Sequence, residues 1–455
     1  MHCKTPYFSA ALIACTLALT SPASAATLTD GGDAYMGCTA TLAGALAPGD
    51  AAKAKTFFEA RTDRFHILCL DSPGGSLVEG IQIGDLLQAQ GISTAVARGA
   101  ECFSACAVLF LAGLEWFNDA GPFYPHRQLH AAGRLGFHAP SLVVPEGAFN
   151  AEQVSAAYAV AIASLAEVSA RKSDWRLSDS LLTTLLKTPP SGMYHVETVY
   201  DAALWGISVV GTVYPDDITF LGAADACTKS YAHRRETGLE RAAETPIGPE
   251  YRHGRDPARI QTDSGPAIRI QGFGDEGGQI PCTVSLPQDL PRPEDLKVAV
   301  GEYGDQRTFS LADWNGTDLD RLPPFMFFDN ATRLSDIATP RDGQLVRVSL
   351  ADFTRPEIDT VVGGTCTVWR GAALRDSETC TENRLLTISS DMVRTDLRRF
   401  QWPSGAETVI SSVDMRPTVN GQPATPIWDW EQPPGIAGSC WLNQGSGNTF
   451  CFEPD

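Results

Sequence analysis

The chain has 455 residues, 54 acidic and 35 basic, for a formal net charge of −19. That balance argues against a nucleic-acid partner, because holding phosphates requires basic patches. The length exceeds one ordinary hydrophobic core, so two or three domains are expected.

Residues 1–25 carry His2 and Lys4, then an apolar run from about Phe8 to Leu19, and end in Ser21-Pro22-Ala23-Ser24-Ala25. This is the pattern of a secretory signal peptide cut after Ala25. A second reading takes Leu12-Ile13-Ala14-Cys15 as a lipoprotein box with Cys15 acylated. The apolar run past Cys15 and the small-residue cleavage site favour the first. No later stretch has the ~18 continuous apolar residues needed to span a bilayer, so a periplasmic or secreted chain without a spanning segment is expected. Of the 12 cysteines, those beyond Cys3 and Cys15 form an even set in an oxidising compartment, where disulfides are expected. Cys366 with Cys380 and Cys440 with Cys451 each bracket turn-rich polar residues between extended segments. No CxxC or HExxH occurs, so neither a thioredoxin-type redox site nor a zincin-type zinc site is supported, and no cofactor is expected.

From Phe65 to Leu221 strand-like and helix-like segments alternate. Phe65–Leu70 reads as an apolar strand, and Leu77–Gln90 as a helix with Leu77, Ile81, Ile83, Leu86 and Leu87 at roughly helical spacing. Ile92–Ala97 is strand-like, Ala105–Ala112 suits a buried helix, and Leu135–Phe137 is a short extended piece ending at His138. Helices are expected from Asn150, a candidate N-cap, to Lys172, and from Leu177 to Leu186. Ile207–Val210 and Ile218–Leu221 read as closing strands. The alternation predicts an α/β domain over residues 26–224 with a largely parallel sheet. The basic cluster from Lys229 to Arg259 is broken by acids, Gly and Pro, and reads as a solvated linker over 225–262. Residues 263–455 turn to β-branched and aromatic runs, among them Thr408–Val413, the Asn420-Gly421 hairpin signal and Gly438–Phe452. They predict a mostly β, disulfide-containing accessory region of one or two subdomains.

Two stretches carry chemistry. In "LCLDSPGGSLVEG" (68–80) a buried strand meets Ser-Pro-Gly-Gly before a helix, and in "CFSACAVLFLAG" (102–113) Ser104 opens an apolar helix. A serine there is most often an N-cap. The same position favours a nucleophile, since the helix dipole and unpaired N–H groups stabilise an oxyanion. DSPGGS at 71–76, Gly80 five residues beyond Gly75, SACAVLFLAG at 104–113 and GFHAP at 136–140 together resemble the proteolytic subunit of the Clp protease. The separations from Gly75 to Ser104 and from Ser104 to Gly113 match that family, and the resemblance covers about residues 36–222. It is nearest to exported ClpP-like proteins with a cysteine on each side of the serine.

The resemblance implies a ClpP/crotonase-like fold and a serine peptidase acting without ATP on peptide or protein substrates. It also implies a homo-oligomer assembled through helices like 150–187. Ser104 would be the nucleophile, His138 the general base, and the N–H groups of Gly75 and Ala105 the oxyanion hole. An insertion of roughly Glu115–Gly133 lengthens the family's spacing, which brings His126 and His130 forward as rival bases. The same three histidines read alternatively as metal ligands, but Pro125 and Gly133 make one rigid presentation of them unlike a metal site. The third triad member is unassigned: Asp174, Asp179, Glu197 and Asp201 are only in the neighbourhood. Cys102 with Cys106 and Cys38 with Cys69 are disulfide candidates around the site; otherwise these small apolar side chains simply pack. The other reading of the whole chain is an inactive binding or scaffold protein that keeps the fold.

Overall fold

The computed structural model describes residues 26–61, 67–116, 123–140, 150–236, 255–262, 265–273, 280–286, 297–302, 305–310, 323–354, 356, 358–428 and 431–455. The expected signal peptide, residues 1–25, lies outside them.

Strands β1 (Thr27–Asp30) and β2 (Ala40–Ala43) precede helix α1 (Asp50–Glu59). Strand β3 (Ile67–Asp71) runs through Ser-Pro-Gly-Gly into α2 (Leu77–Gln90), and β4 (Ser93–Val96) and β5 (Glu101–Phe103) lead to α3 (Ala105–Phe110). A hairpin of β6 (Leu114–Trp116) and β7 (Phe123–Pro125) is followed by β8 (Arg127–His130) and β9 (Arg134–Phe137). Then come α4 (Ala151–Ala170), α5 (Asp179–Lys187), β10 (Tyr194–His195), α6 (Val199–Leu204), β11 (Ser208–Val210), β12 (Tyr214–Pro215) and α7 (Phe220–Glu236).

Six strands form one sheet in the order β1-β2-β3-β4-β8-β11, parallel from β2 onward. Leu68, Cys69 and Leu70 are all buried, as befits a parallel strand covered on both faces. A second sheet, β10-β9-β5, pairs β5 with β9 in parallel. Helix α2 starts where the Ser76 hydroxyl accepts from Glu79 N–H and stops at Gly91 in the left-handed region (φ 65°), an N-cap and a glycine stop. Asn150 caps α4 in a reciprocal box with Gln153.

Two elements differ from the sequence reading. Ile218–Leu221 is not a strand: the Thr219 hydroxyl accepts from Gly222 N–H at 3.0 Å and helix α7 begins at Phe220. The insertion of roughly Glu115–Gly133, which a loop could have absorbed, contains β8, which lies between β4 and β11 in the large sheet. Helix α4 is long and apolar enough, by length and mean hydropathy, to cross a membrane, one such helix among the described residues, though Glu152, Gln153 and Glu167 keep it from being the continuous apolar run that was not expected.

The segment read as a linker also differs at both ends. Helix α7 runs through its start, burying Lys229 completely with Nζ donating to Phe328 O at 2.7 Å. Its end is β13 (Arg255–Thr262), which opens a five-stranded antiparallel sheet with β14 (Gly265–Phe273), β15 (Ile280–Ser285), β16 (Lys297–Glu302) and β17 (Asp305–Ser310). Cys227 on α7 is bonded to Cys282 on β15. Residues 323–354 return to the α/β region, where Phe325–Phe328 are buried and β18 (Arg347–Val348) pairs with β12. One apolar core therefore joins the α/β region, the five-stranded sheet and this return segment. The expected boundary does not divide it, because a buried helix is continuous across residue 225.

Eight strands then close an antiparallel barrel: β19 (Ile358–Arg370), β20 (Ala373–Ile388), β21 (Arg394–Gln401), β22 (Glu407–Val413), β23 (Arg416–Val419), β24 (Gln422–Ile427), β25 (Ser439–Asn443) and β26 (Thr449–Pro454). Its separate core holds Phe400 within 4.8 Å of Phe450 and 5.0 Å of Phe452, ring centre to ring centre. Cys366–Cys380 and Cys440–Cys451 are disulfides, as the spacing suggested. The Asn420-Gly421 turn has positive φ at both residues, as a two-residue hairpin requires.

Candidate functional site

The glycine turn is built onto β5 as an extra rung. Ser72 N–H donates to Glu101 O at 2.7 Å, and Phe103 N–H donates to Ser72 O at 3.1 Å. The buried Ser72 hydroxyl accepts Gly74 N–H at 3.1 Å. On the other side Leu46 N–H donates to Gly74 O and Leu46 O accepts Ser76 N–H, at 2.7 and 2.9 Å.

Both glycines have left-handed φ, 100° at Gly74 and 130° at Gly75, which side chains rarely tolerate. A Cβ on Gly74 would stand 2.6 Å from Phe103 O and 2.7 Å from Ser104 Cβ, and one on Gly75 would overlap the Leu46 backbone. Gly74 is thus the residue pressed against Ser104, a role the sequence reading did not give it. The Gly75 N–H, unlike that of Gly74, has no hydrogen-bond partner among the described residues.

Ser104 sits at φ 57°, ψ −123°, outside the ordinary regions for an L-residue. Its N–H donates to Gly136 O at 3.0 Å and its carbonyl accepts Val108 N–H at 3.1 Å. Its hydroxyl makes no capping bond to α3, so the simple N-cap reading does not describe it. The first N–H of that helix, on Ala105, has no intrahelical acceptor. Cys102 and Cys106 are buried and joined by a disulfide with Cα atoms 5.2 Å apart, closing a five-residue loop around Ser104. Cys38–Cys69 ties β3 to the chain before β2.

His138 reaches this place from the neighbouring strand. Phe103 of β5 pairs in parallel with Gly136 of β9, so Ser104 and His138 leave adjacent strand ends in the same direction. His138 is half-buried, and its Nδ1 lies 2.8 Å from Ala139 O. No hydrogen bond joins His138 to Ser104.

The rival histidines belong elsewhere. His126 is buried with Nδ1 2.6 Å from Ser93 Oγ, and burial pushes its pKa down to about 4. His130 is buried with Nε2 3.1 Å from Asp342 Oδ1, and its Nδ1 accepts Ala132 N–H at 2.9 Å. Burial and Arg98 push its pKa down against the pull of Asp342. The three histidines do not converge on one point.

Three of the four acids are engaged elsewhere. Asp179 pairs with Lys172, Glu197 lies 3.9 Å from Arg333, and Asp174 is exposed. Asp201 accepts the Tyr194 hydroxyl at 3.0 Å, and burial raises its carboxyl pKa. The same burial, with Asp201 alongside, pushes Tyr194 up to about 12. The sequence reading missed His195, which stands opposite Gly136 and packs its ring on Phe103 at 5.5 Å. Its signal was faint, a lone histidine in a two-residue strand.

A half-buried serine on a constrained backbone, two N–H groups without a hydrogen-bond partner among the described residues and a histidine on the adjacent strand end are parts that acyl transfer uses. No protein-family model matches the chain, and no curated protein matches it in sequence.

Proposed function

We propose that the N-terminal region is a ClpP/crotonase-like serine peptidase that cuts peptide bonds through an acyl-enzyme, without ATP. The backbone of Ser104 carries this reading. Strained φ/ψ on a non-glycine residue persists only where the surroundings impose it and clusters at functional sites. Here the disulfide, the Gly74 contact and the Gly136 hydrogen bond impose it together.

In the proposed reaction Ser104 Oγ attacks the scissile carbonyl carbon while His138 takes its proton. The new oxyanion receives the N–H groups of Gly75 and Ala105, and the imidazolium returns the proton to the leaving amine. Water then repeats the sequence on the ester and releases the acid. Substrate binding would draw His138 and Ser104 into hydrogen-bond contact, since such pairs are often loose before substrate arrives. Export to the periplasm or beyond fits the disulfides. The exposed Val154, Tyr158 and Val160 of α4 support the homo-oligomer that the resemblance implies.

A fluorophosphonate probe on oxidised wild type, Ser104→Ala and His138→Ala tests this. Labelling of wild type that is lost in both variants is expected. A folded wild type that stays unlabelled would sink the peptidase reading and leave the scaffold reading, which the lack of a carboxylate bonded to His138 among the described residues favours.

A further inference from the structure

A histidine that serves as base needs its ring held and its tautomer chosen, usually by a carboxylate behind the second nitrogen. No described carboxylate bonds to His138. What stands at Nδ1 is the carbonyl oxygen of Ala139, 2.8 Å away. A carbonyl oxygen only accepts, so Nδ1 carries the proton. In the neutral ring the lone pair then lies on Nε2, the nitrogen left open.

The carbonyl is itself fixed. Ala139 N–H donates to Thr188 O at 2.9 Å, which anchors the peptide from the end of α5. Thr188 is held in turn, its N–H and hydroxyl donating to Thr184 O at 3.0 and 2.8 Å. Pro140 follows and confines Ala139 to extended backbone. Two constraints, the Thr188 hydrogen bond on the N–H side of Ala139 and Pro140 on its carbonyl side, therefore hold the residue whose carbonyl faces this ring nitrogen.

We propose that Ala139 is the positioning residue of the site: its main-chain carbonyl, locked by Thr188 and Pro140, orients His138 where the resembling family uses an aspartate. This rests on the catalytic reading above. It makes the site a serine–histidine dyad, and it makes Asp174, Asp179, Glu197 and Asp201 dispensable to the chemistry. A carbonyl dipole stabilises the imidazolium less than a carboxylate does, so the site trades rate for independence from a second titrating group.

Two measurements on the full oxidised chain test it. The first is the two-bond ¹⁵N–¹H spectrum of the histidine rings, with the His138 signals identified by their loss in His138→Gln. The Nδ1–H tautomer is expected in wild type, and a mixture of tautomers in Pro140→Ala, which frees the carbonyl. The second is the rate of fluorophosphonate labelling in Asp174→Asn, Asp179→Asn, Glu197→Gln and Asp201→Asn. Each is expected within about threefold of wild type, with Pro140→Ala slowed by about tenfold at unchanged melting temperature.

An Nε2–H tautomer in a wild type that labels would overturn this proposal alone. So would a loss of more than ~100-fold in any one acid variant, the scale expected when a true orienting acid is removed. A wild type that does not label overturns the catalytic reading and this one with it, whatever the tautomer.

Discussion

At the scale of single residues, Gly74 is where geometry is least forgiving. Its φ of 100° and the 2.7 Å approach to Ser104 Cβ mean that Gly74→Ala moves the serine itself. We expect a loss of at least ~2 kcal/mol in stability from strain and overlap and a fall in probe labelling of ~100-fold or more. Gly99, with φ 73° but open space around it, is the control. Gly99→Ala should cost about 1 kcal/mol for backbone alone and leave labelling unchanged. The Gly-Gly pair was legible in the sequence as a special turn, but the division of labour was not. Which glycine faces the serine and which offers its N–H depends on Leu46 and Phe103, far away in the chain.

His126 gives a second prediction of this kind. Its folded pKa of about 4 lies below its ordinary 6.5, so the unfolded chain takes up the proton first as pH falls. Stability should be full above pH 6.5, decline toward pH 4 and level off below, with roughly 3 kcal/mol attributable to this group. His130 acts in the same direction. Urea unfolding in that pH window should show a shallower slope in His126→Asn, whose amide reaches Ser93 without titrating; an equal slope would assign the effect elsewhere.

Among the elements, the loop closed by Cys102–Cys106 separates stability from reactivity. Closing five residues removes little chain entropy, about 2 kcal/mol, against about 4 kcal/mol for the longer loop of Cys38–Cys69. The double variant Cys102→Ser, Cys106→Ser should therefore melt closer to wild type than Cys38→Ser, Cys69→Ser, yet lose more of its labelling. The reverse order would show that the short bond does not hold the serine. Helices were the most legible elements, because α2 shows its apolar residues at helical spacing and α4 declares its start with Asn150. Strand β8 was not, since its sequence Arg-Gln-Leu-His offers a single aliphatic residue. It is buried because Arg127 donates to Trp175 O and is shielded by the sheet, a contact that only the fold creates. Helix α7 looked like linker for the same reason, its buried Lys229 being satisfied by a hydrogen bond to the carbonyl of residue 328.

On the scale of the molecule, the two larger of the three apolar cores among the described residues imply two cooperative units. Calorimetry should resolve two transitions. Phe400→Ala, which empties the centre of the barrel, should lower one of them by about 3–5 kcal/mol and leave the other in place; a single transition that shifts as a whole would show the barrel locked to the rest. The four disulfides proposed from the sequence were legible because their cysteines flank short loops or the motif itself. Cys227–Cys282 was not, because one partner lay in a segment that looked solvated. That bond has a consequence for the molecule as a covalent object. Every peptide bond between residues 227 and 282 lies inside a closed ring, so a protease that cuts there once opens the ring without separating the pieces. The nicked protein would run as one band on a non-reducing gel and as two after reduction, with the serine on one fragment and the barrel on the other.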